Sequence, residues 1–196
     1  EEKGNGIFVR GNLSFEGGGG RVYIDVNDTA VYTEGDTFTI IDEGIEVVNS
    51  DVGIFYHGNA YFKETNVIIN SESMAINGQN SLTIEDSAIF PESSRQGVGI
   101  VKGDLVFKGS CIFEAKSFCK ADDDSYFSVL LFDGEIIVPY NLSVRASTEP
   151  DGTLGKYDPS KIQTYDYICV SSAPEYVLGD VTGDGIISST DYLRIK

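Results

Sequence analysis

The sequence predicts an all-β chain coiled as a right-handed parallel β-helix. Three observations point there: apolar doublets spaced by two, a restart of the doublet pattern about every 22 residues, and glycine recurring between strands. Phe38/Ile40 is followed by Ala60/Phe62, Leu82/Ile84, Leu105/Phe107 and Ile136/Val138, at steps of 22, 22, 23 and 31 residues. A spacing of two is the period of a strand with one buried face.

A second doublet in each rung is read as Ile45/Val47, Val67/Ile69, Ala88/Phe90 and Cys111/Phe113. A third is read as Val52/Ile54, Met74/Ile76, Val98/Ile100 and Val129/Leu131. Three short strands per rung make a solenoid whose turns stack at roughly 4.8 Å. An antiparallel sandwich is the alternative, but it gives no reason for the near-constant restart. Gly58, Gly78, Gly103 and Gly134 are expected at one shared corner. Lys63, Glu85 and Lys108 occupy one outward position on successive rungs, a row of alternating charge.

Toward the N-terminus, Ile7/Val9, Leu13/Phe15 and Val22/Ile24 look like early rungs interrupted by the four glycines at 17–20, without a clear phase. The long fourth step holds residues 116–128, including Asp122, Asp123 and Asp124, and is expected to stand out as a loop. Leu142/Val144 starts a closing turn, 147–161 reads as a loop, and 165–170 as a final strand. The domain reading is a β-helix over 1–170, a linker over 171–177 and a separate C-terminal unit over 178–196.

That last unit carries the most specific motif. Residues 180–191 read Asp-Val-Thr-Gly-Asp-Gly-Ile-Ile-Ser-Ser-Thr-Asp, a twelve-residue calcium loop running into a helix start. A hard cation needs several oxygens from one tight turn. Asp180, Thr182 and Asp184 offer side-chain oxygens at positions 1, 3 and 5, and Ile186 a carbonyl at 7. Ser188 stands at position 9, where a water relays, and Asp191 at 12 closes the set bidentately. Gly185 takes position 6, where the bend is sharpest.

With Asp at position 12 and Leu178-Gly179 in front, the segment resembles the first half of a dockerin, the module that plugs proteins into cohesin-bearing scaffolds of bacterial cellulosomes. A dockerin has two such segments, and only the first is present in this sequence. Thr182 also stands where Asn is more usual. The resemblance implies bound Ca2+, secretion, a cohesin domain as partner, and cohesin contact through Ser189 and Thr190. More loosely, Ile76-Asn-Gly78 and the run from Ile100 to Gly103 resemble corners of β-helical carbohydrate-binding-like domains in secreted proteins of plant-degrading anaerobes. That likeness encodes fold more than ligand.

Composition narrows the function classes. The chain has 31 acidic residues against 14 basic ones, a net charge of -17, which argues against nucleic acid and anionic membranes as partners. No apolar run is long enough to span a bilayer. Position 1 is Glu rather than Met, as expected after removal of an export signal or an upstream domain. Of three cysteines, Cys111 reads as a buried thiol, with a Cys111–Cys119 link as the alternative; Cys169 is the third.

A lyase would need an acidic calcium cluster beside an Arg or Lys base, and the five arginines fall at no matching outer positions. His57, the single histidine, reads as a polar corner residue. For sugar binding, Gly53, Ala75 and Gly99 are expected to stack as a shallow outward trough, rimmed by Phe55, Tyr56 and Asn77, with Tyr61 on the next strand. The leading expectation is therefore a secreted, non-catalytic module that binds plant polysaccharide and docks onto a scaffold. A β-helical polysaccharide lyase or glycoside hydrolase, and a structural or adhesive cell-surface protein, are the competing readings.

Overall fold

A computed structural model of the chain describes residues 4–100, 102–118 and 129–172. Within them the strands stack in parallel as a β-solenoid of about five turns. Each turn runs along three faces, and side chains that alternate inward fill the core between them.

The first face is built from the early parts of Leu13–Asp25 and Thr37–Tyr56, followed by Asn59–Lys63, Leu82–Glu85, Leu105–Lys108 and Ile136–Ile137. Its inward column runs Leu13, Phe38, Ala60, Leu82, Leu105, Ile136, each beside the next in parallel register. This is the doublet spacing read from the sequence, extended one rung earlier. Phe38 is fully buried, with its ring 5.5 Å from Phe62, 6.2 Å from Phe15 and 6.3 Å from Tyr56.

The second face stacks Val22, Ile45, Val67, Ile89 and Phe113. Here the doublet Ala88/Phe90 is corrected, since Ile89 and Pro91 turn inward instead. Cys111 and Phe113 do face inward as expected, but it is Phe113, followed by Ala115, that stands in register with Ile89. The ladder to the strand Ile112–Ser117 pairs Ala88 and Ile89, then skips to Glu92. A proline has no N–H to donate, so a gap at Pro91 is expected.

The third face comprises Ile7–Val9, Thr29–Thr33, the ends of Thr37–Tyr56 and Asn66–Gly78, then Gln96–Ile100 and Leu130–Phe132. Ile7, Val31, Ile54, Ile76, Val98 and Leu130 form its inward column. The expected Val129/Leu131 doublet is thus displaced by one residue: Leu130 pairs with Val98 and Phe132 with Ile100. The N-terminal segments also find their phase. Ile7–Val9 stacks on Thr29–Thr33, and the glycines at 17–20 form an irregularity that separates the first-face and second-face parts of Leu13–Asp25.

The corner between the first two faces is a stacked left-handed turn. Asp42, Glu64, Asp86 and Gly109 all have positive φ, between 47° and 67°, at equivalent places on four rungs. Just after it come buried Thr65, Ser87 and Cys111, one above another. A bend turns carbonyls inward, and these side chains satisfy them. Ser87 Oγ donates to the Glu85 carbonyl at 2.6 Å, and Cys111 Sγ to the Lys108 carbonyl at 3.1 Å. Cys111 is therefore a buried free thiol doing a hydroxyl's job at a corner, and Cys169 is likewise free and buried. Cys119 lies outside the described residues.

Of the expected glycine corner, Gly58 and Gly134 hold. A Cβ on Gly58 would sit 1.9 Å from the Asp36 carbonyl oxygen, and one on Gly134 the same distance from that of Gly103. Gly103 shares this corner, with φ of 110°. Gly78 is the correction. It lies within the third face, paired with Tyr56 and Ile100, and the Tyr56 ring occupies the space its side chain would take.

At the C-terminal end the parallel order stops. Tyr167–Ser172 pairs antiparallel with Ile112–Ser117, and Leu142–Ser147 then pairs antiparallel with Tyr167–Ser172. Reversing the chain direction closes the solenoid with a small antiparallel cap. Within the expected loop at 147–161, Gly155–Lys156 forms a short strand against Leu142–Ser147 and a 3-10 helix begins at Pro159. Asp158 caps that helix, its carboxylate accepting from the Ser160 N–H at 3.0 Å. The insertion core at 119–128, with its three aspartates, lies outside the described residues. So do the linker from 173 onward and the whole unit at 178–196.

Candidate functional site: an aromatic ridge on the third face

The alternation that buries Ile7, Val31 and Ile54 turns the residue after each of them outward. Those residues are Phe8, Tyr32 and Phe55, neighbours in register, with Asn77 and Gly99 next in the row. Strand stacking sets the ring spacing. Phe8 and Tyr32 stack at 4.9 Å between centroids with planes 14° apart, and Tyr32 and Phe55 at 4.7 Å and 9°. Such stacks contribute roughly 0.5–1.5 kcal/mol beyond the area they bury. Because the ring faces lie on one another, the ridge presents ring edges to solvent. Phe8, at the outer end, is 46% exposed.

A polar row borders the ridge. Arg10 places its guanidinium 5.9 Å from the Phe8 ring centre, the exposed His57 lies 5.7 Å from Phe55, and the Tyr32 hydroxyl donates to Glu34 at 3.4 Å. Desolvation, then the Glu34 charge, raises the Tyr32 pKa, so the phenol stays protonated at neutral pH. The result is a straight apolar ridge along the solenoid axis, flanked by donors and acceptors. It suits an extended ligand laid parallel to that axis.

The four residues expected to rim a sugar trough do not converge. Phe55 and Asn77 are neighbours on the ridge. Tyr56 faces the core, fully buried, with its hydroxyl donating to the Asn80 carbonyl at 3.1 Å. Burial pushes its pKa far up. Tyr61 lies on the first face, where its hydroxyl donates to Glu85 at 2.7 Å. The trough itself is absent. Gly53, Ala75 and Gly99 are all buried, and Gly99 stacks on Asn77 rather than on Ala75. A Cβ on Gly53 would collide with the Ile69 side chain, and one on Gly99 would meet the Met74 sulfur at 3.0 Å. The small residues let neighbouring side chains close over the strand.

The charge row does form: Lys63, Glu85 and Lys108 stand in register, with Lys63 Nζ 3.2 Å from Glu85. Hydrogen bonds from Tyr61 and then Lys63 hold the Glu85 carboxyl below its usual range. Arg145 sits in the C-terminal cap, donating to Ser171 Oγ at 3.1 Å. Among the described residues no group of three or more His, Cys, Asp or Glu side chains is gathered as a metal site. The expected calcium ligands Asp180, Thr182, Asp184, Ile186, Ser188 and Asp191, and the cohesin-contact residues Ser189 and Thr190, lie outside the described residues.

Phe8 and Tyr32 are the site residues that sequence reasoning missed. Their signal was present: an aromatic one position after the inward Ile7, Val31 and Ile54. It became visible only once the N-terminal rungs were in phase. Comparison with family models, with curated proteins and with solved structures finds no match to this chain.

Proposed function

We propose that this chain is a secreted, non-catalytic polysaccharide-binding module, tethered to a cohesin scaffold through a calcium-loaded dockerin segment at its C-terminus. The observation that carries the binding reading is the Phe8–Tyr32–Phe55 ridge, a straight apolar line with a hydrogen-bonding margin. Successive sugar rings lie against the apolar ring edges of the ridge, and their hydroxyls meet Arg10, Glu34, His57 and Asn77. The tethering reading rests on the spacing of oxygen donors at 180–191. There Asp180, Thr182, Asp184, Ile186, Ser188 and Asp191 would hold Ca2+, and Ser189 and Thr190 would face the cohesin.

Affinity electrophoresis of the full chain in gels containing xylan or β-glucan tests the binding reading. Retardation by at least one polymer is expected, and the Tyr32→Ala/Phe55→Ala variant should weaken it about tenfold or more. Thermal unfolding of that variant checks that it remains folded. A folded double variant bound as tightly as the parent overturns the assignment of the ridge. For the tether, Asp184→Ala is expected to abolish calcium-dependent changes in the C-terminal segment, read by calorimetric calcium titration. Undiminished calcium binding in that variant removes the ligand assignment.

A further inference from the structure

A concave surface lies at the C-terminal end of the solenoid, where the antiparallel cap meets the last rung. Two adjoining depressions share Tyr157 and Pro159. One, of about 490 Å³, is lined by Lys156, Tyr157, Asp158, Lys161 and Tyr165. The other, of about 320 Å³, continues over Ile136 and Ile162 to Glu135. Each volume falls in the range of small-ligand sites, roughly 300–1,000 Å³.

Its chemistry runs against the rest of the chain. The net charge is -17, yet the larger lobe sets two lysines against a single aspartate. Neither Lys156 nor Lys161 makes an ion pair among the described residues. Asp158 is already engaged, accepting from the Ser160 N–H at 3.0 Å and the Ser160 hydroxyl at 2.8 Å. The wall is aromatic: the Tyr157 and Tyr165 rings are 5.7 Å apart and tilted by 42°. Tyr165 accepts the Asp158 N–H at 3.1 Å, which leaves its own hydroxyl proton to donate. Burial, then the Tyr165 and Asp158 charges, pushes the Tyr157 pKa up to about 12, so this phenol is a donor throughout the neutral range.

We infer that this cleft binds a carboxylate-bearing sugar residue of an acidic polysaccharide, with Lys156 and Lys161 holding the carboxylate and Tyr157 and Tyr165 flanking the ring. The inference deepens the polysaccharide reading, on which it rests, but uses a different surface. Lysines in excess over the lobe's single carboxylate, aromatic walls matched to a sugar ring and phenolic donors matched to its hydroxyls coincide in one depression. Glu135 in the smaller lobe excludes a second anion there. The carboxylate therefore belongs in the lysine lobe and the uncharged part of the ligand over Ile136 and Ile162.

Calorimetric titration of the full chain with trigalacturonate, its methyl ester and inorganic phosphate is the test. Trigalacturonate should bind, and its methyl ester should bind about tenfold more weakly or not at all. Lys156→Ala/Lys161→Ala should weaken trigalacturonate binding about tenfold. Tyr157→Phe, which keeps the ring and removes the donor, should weaken it several-fold. The ridge variant Tyr32→Ala/Phe55→Ala should leave it unchanged. Equal binding of acid and ester, binding of phosphate as tight as that of the sugar acid, or full binding by the double-lysine variant each overturns the inference. If neutral polymers are still retained while trigalacturonate is not, only the cleft assignment fails. Loss through the ridge variant instead places the acid on the ridge.

Discussion

Phe38→Ala is expected to destabilise the fold by about 3–5 kcal/mol, the usual cost of emptying a buried aromatic site. The ring is completely buried and touches Phe15 on the rung before, Phe62 on the rung after and Tyr56 across from the third face. Phe62 and Tyr56 are held by strand ladders on both sides and Phe15 on one, so the surroundings collapse into the space only in part. Phe38→Leu, which refills most of the volume, should recover a large part of the loss. Chemical denaturation of the three proteins side by side checks this. A loss below about 1 kcal/mol for the alanine variant would mean that the first-face column is not a packed core.

Gly78→Ala is the second large effect, and it acts by overfilling. A methyl group there would lie 2.1 Å from Cζ and Oη of Tyr56, a ring that is fully buried and anchored to the Asn80 carbonyl. Overpacking of this kind costs about 1–3 kcal/mol, and an immobile neighbour argues for the top of that range. The diagnostic is coupling between the two sites. In Tyr56→Leu, Gly78→Ala should cost much less, because the clashing ring is gone. Additive losses in a double-mutant cycle would show that the two residues do not face each other on adjacent rungs.

The first-face doublets were legible because nothing interrupts them: Phe38, Ala60, Leu82 and Leu105 recur with no more than one residue of drift. Legibility failed where the inward residue was not an obvious hydrophobe. Pro91 takes an inward place that composition reserves for Ile or Val, so Phe90 drew the register to the wrong face. Residues 119–128 similarly hid the phase of the strand Leu130–Phe132. The stacked left-handed corner was legible only in part: Asp42, Asp86 and Gly109 are types that enter this region more readily than others, whereas Glu64 is not.

The candidate site was half legible. Phe55 and Asn77 were found, whereas Tyr56 was misplaced because a tyrosine next to a glycine looks like a rim residue. It is instead the filler of the space above Gly78. Sequence patterns record which residues are apolar, but facing is a property of register, and register depends on every bulge upstream. The cleft at the cap could not be read in advance, since an antiparallel reversal brings Tyr157, Lys161 and Ile136 together from separate segments.

The most direct test is oxidative footprinting of the full chain, free and saturated with the polysaccharide that retards it. Phe8, Tyr32 and Phe55 should be protected together by the bound polymer, though they are widely separated in sequence. Tyr23 and Tyr140, which are 60% and 100% exposed elsewhere, should oxidise equally in both states. Protection of Tyr23 or Tyr140 with the ridge unchanged would contradict the account.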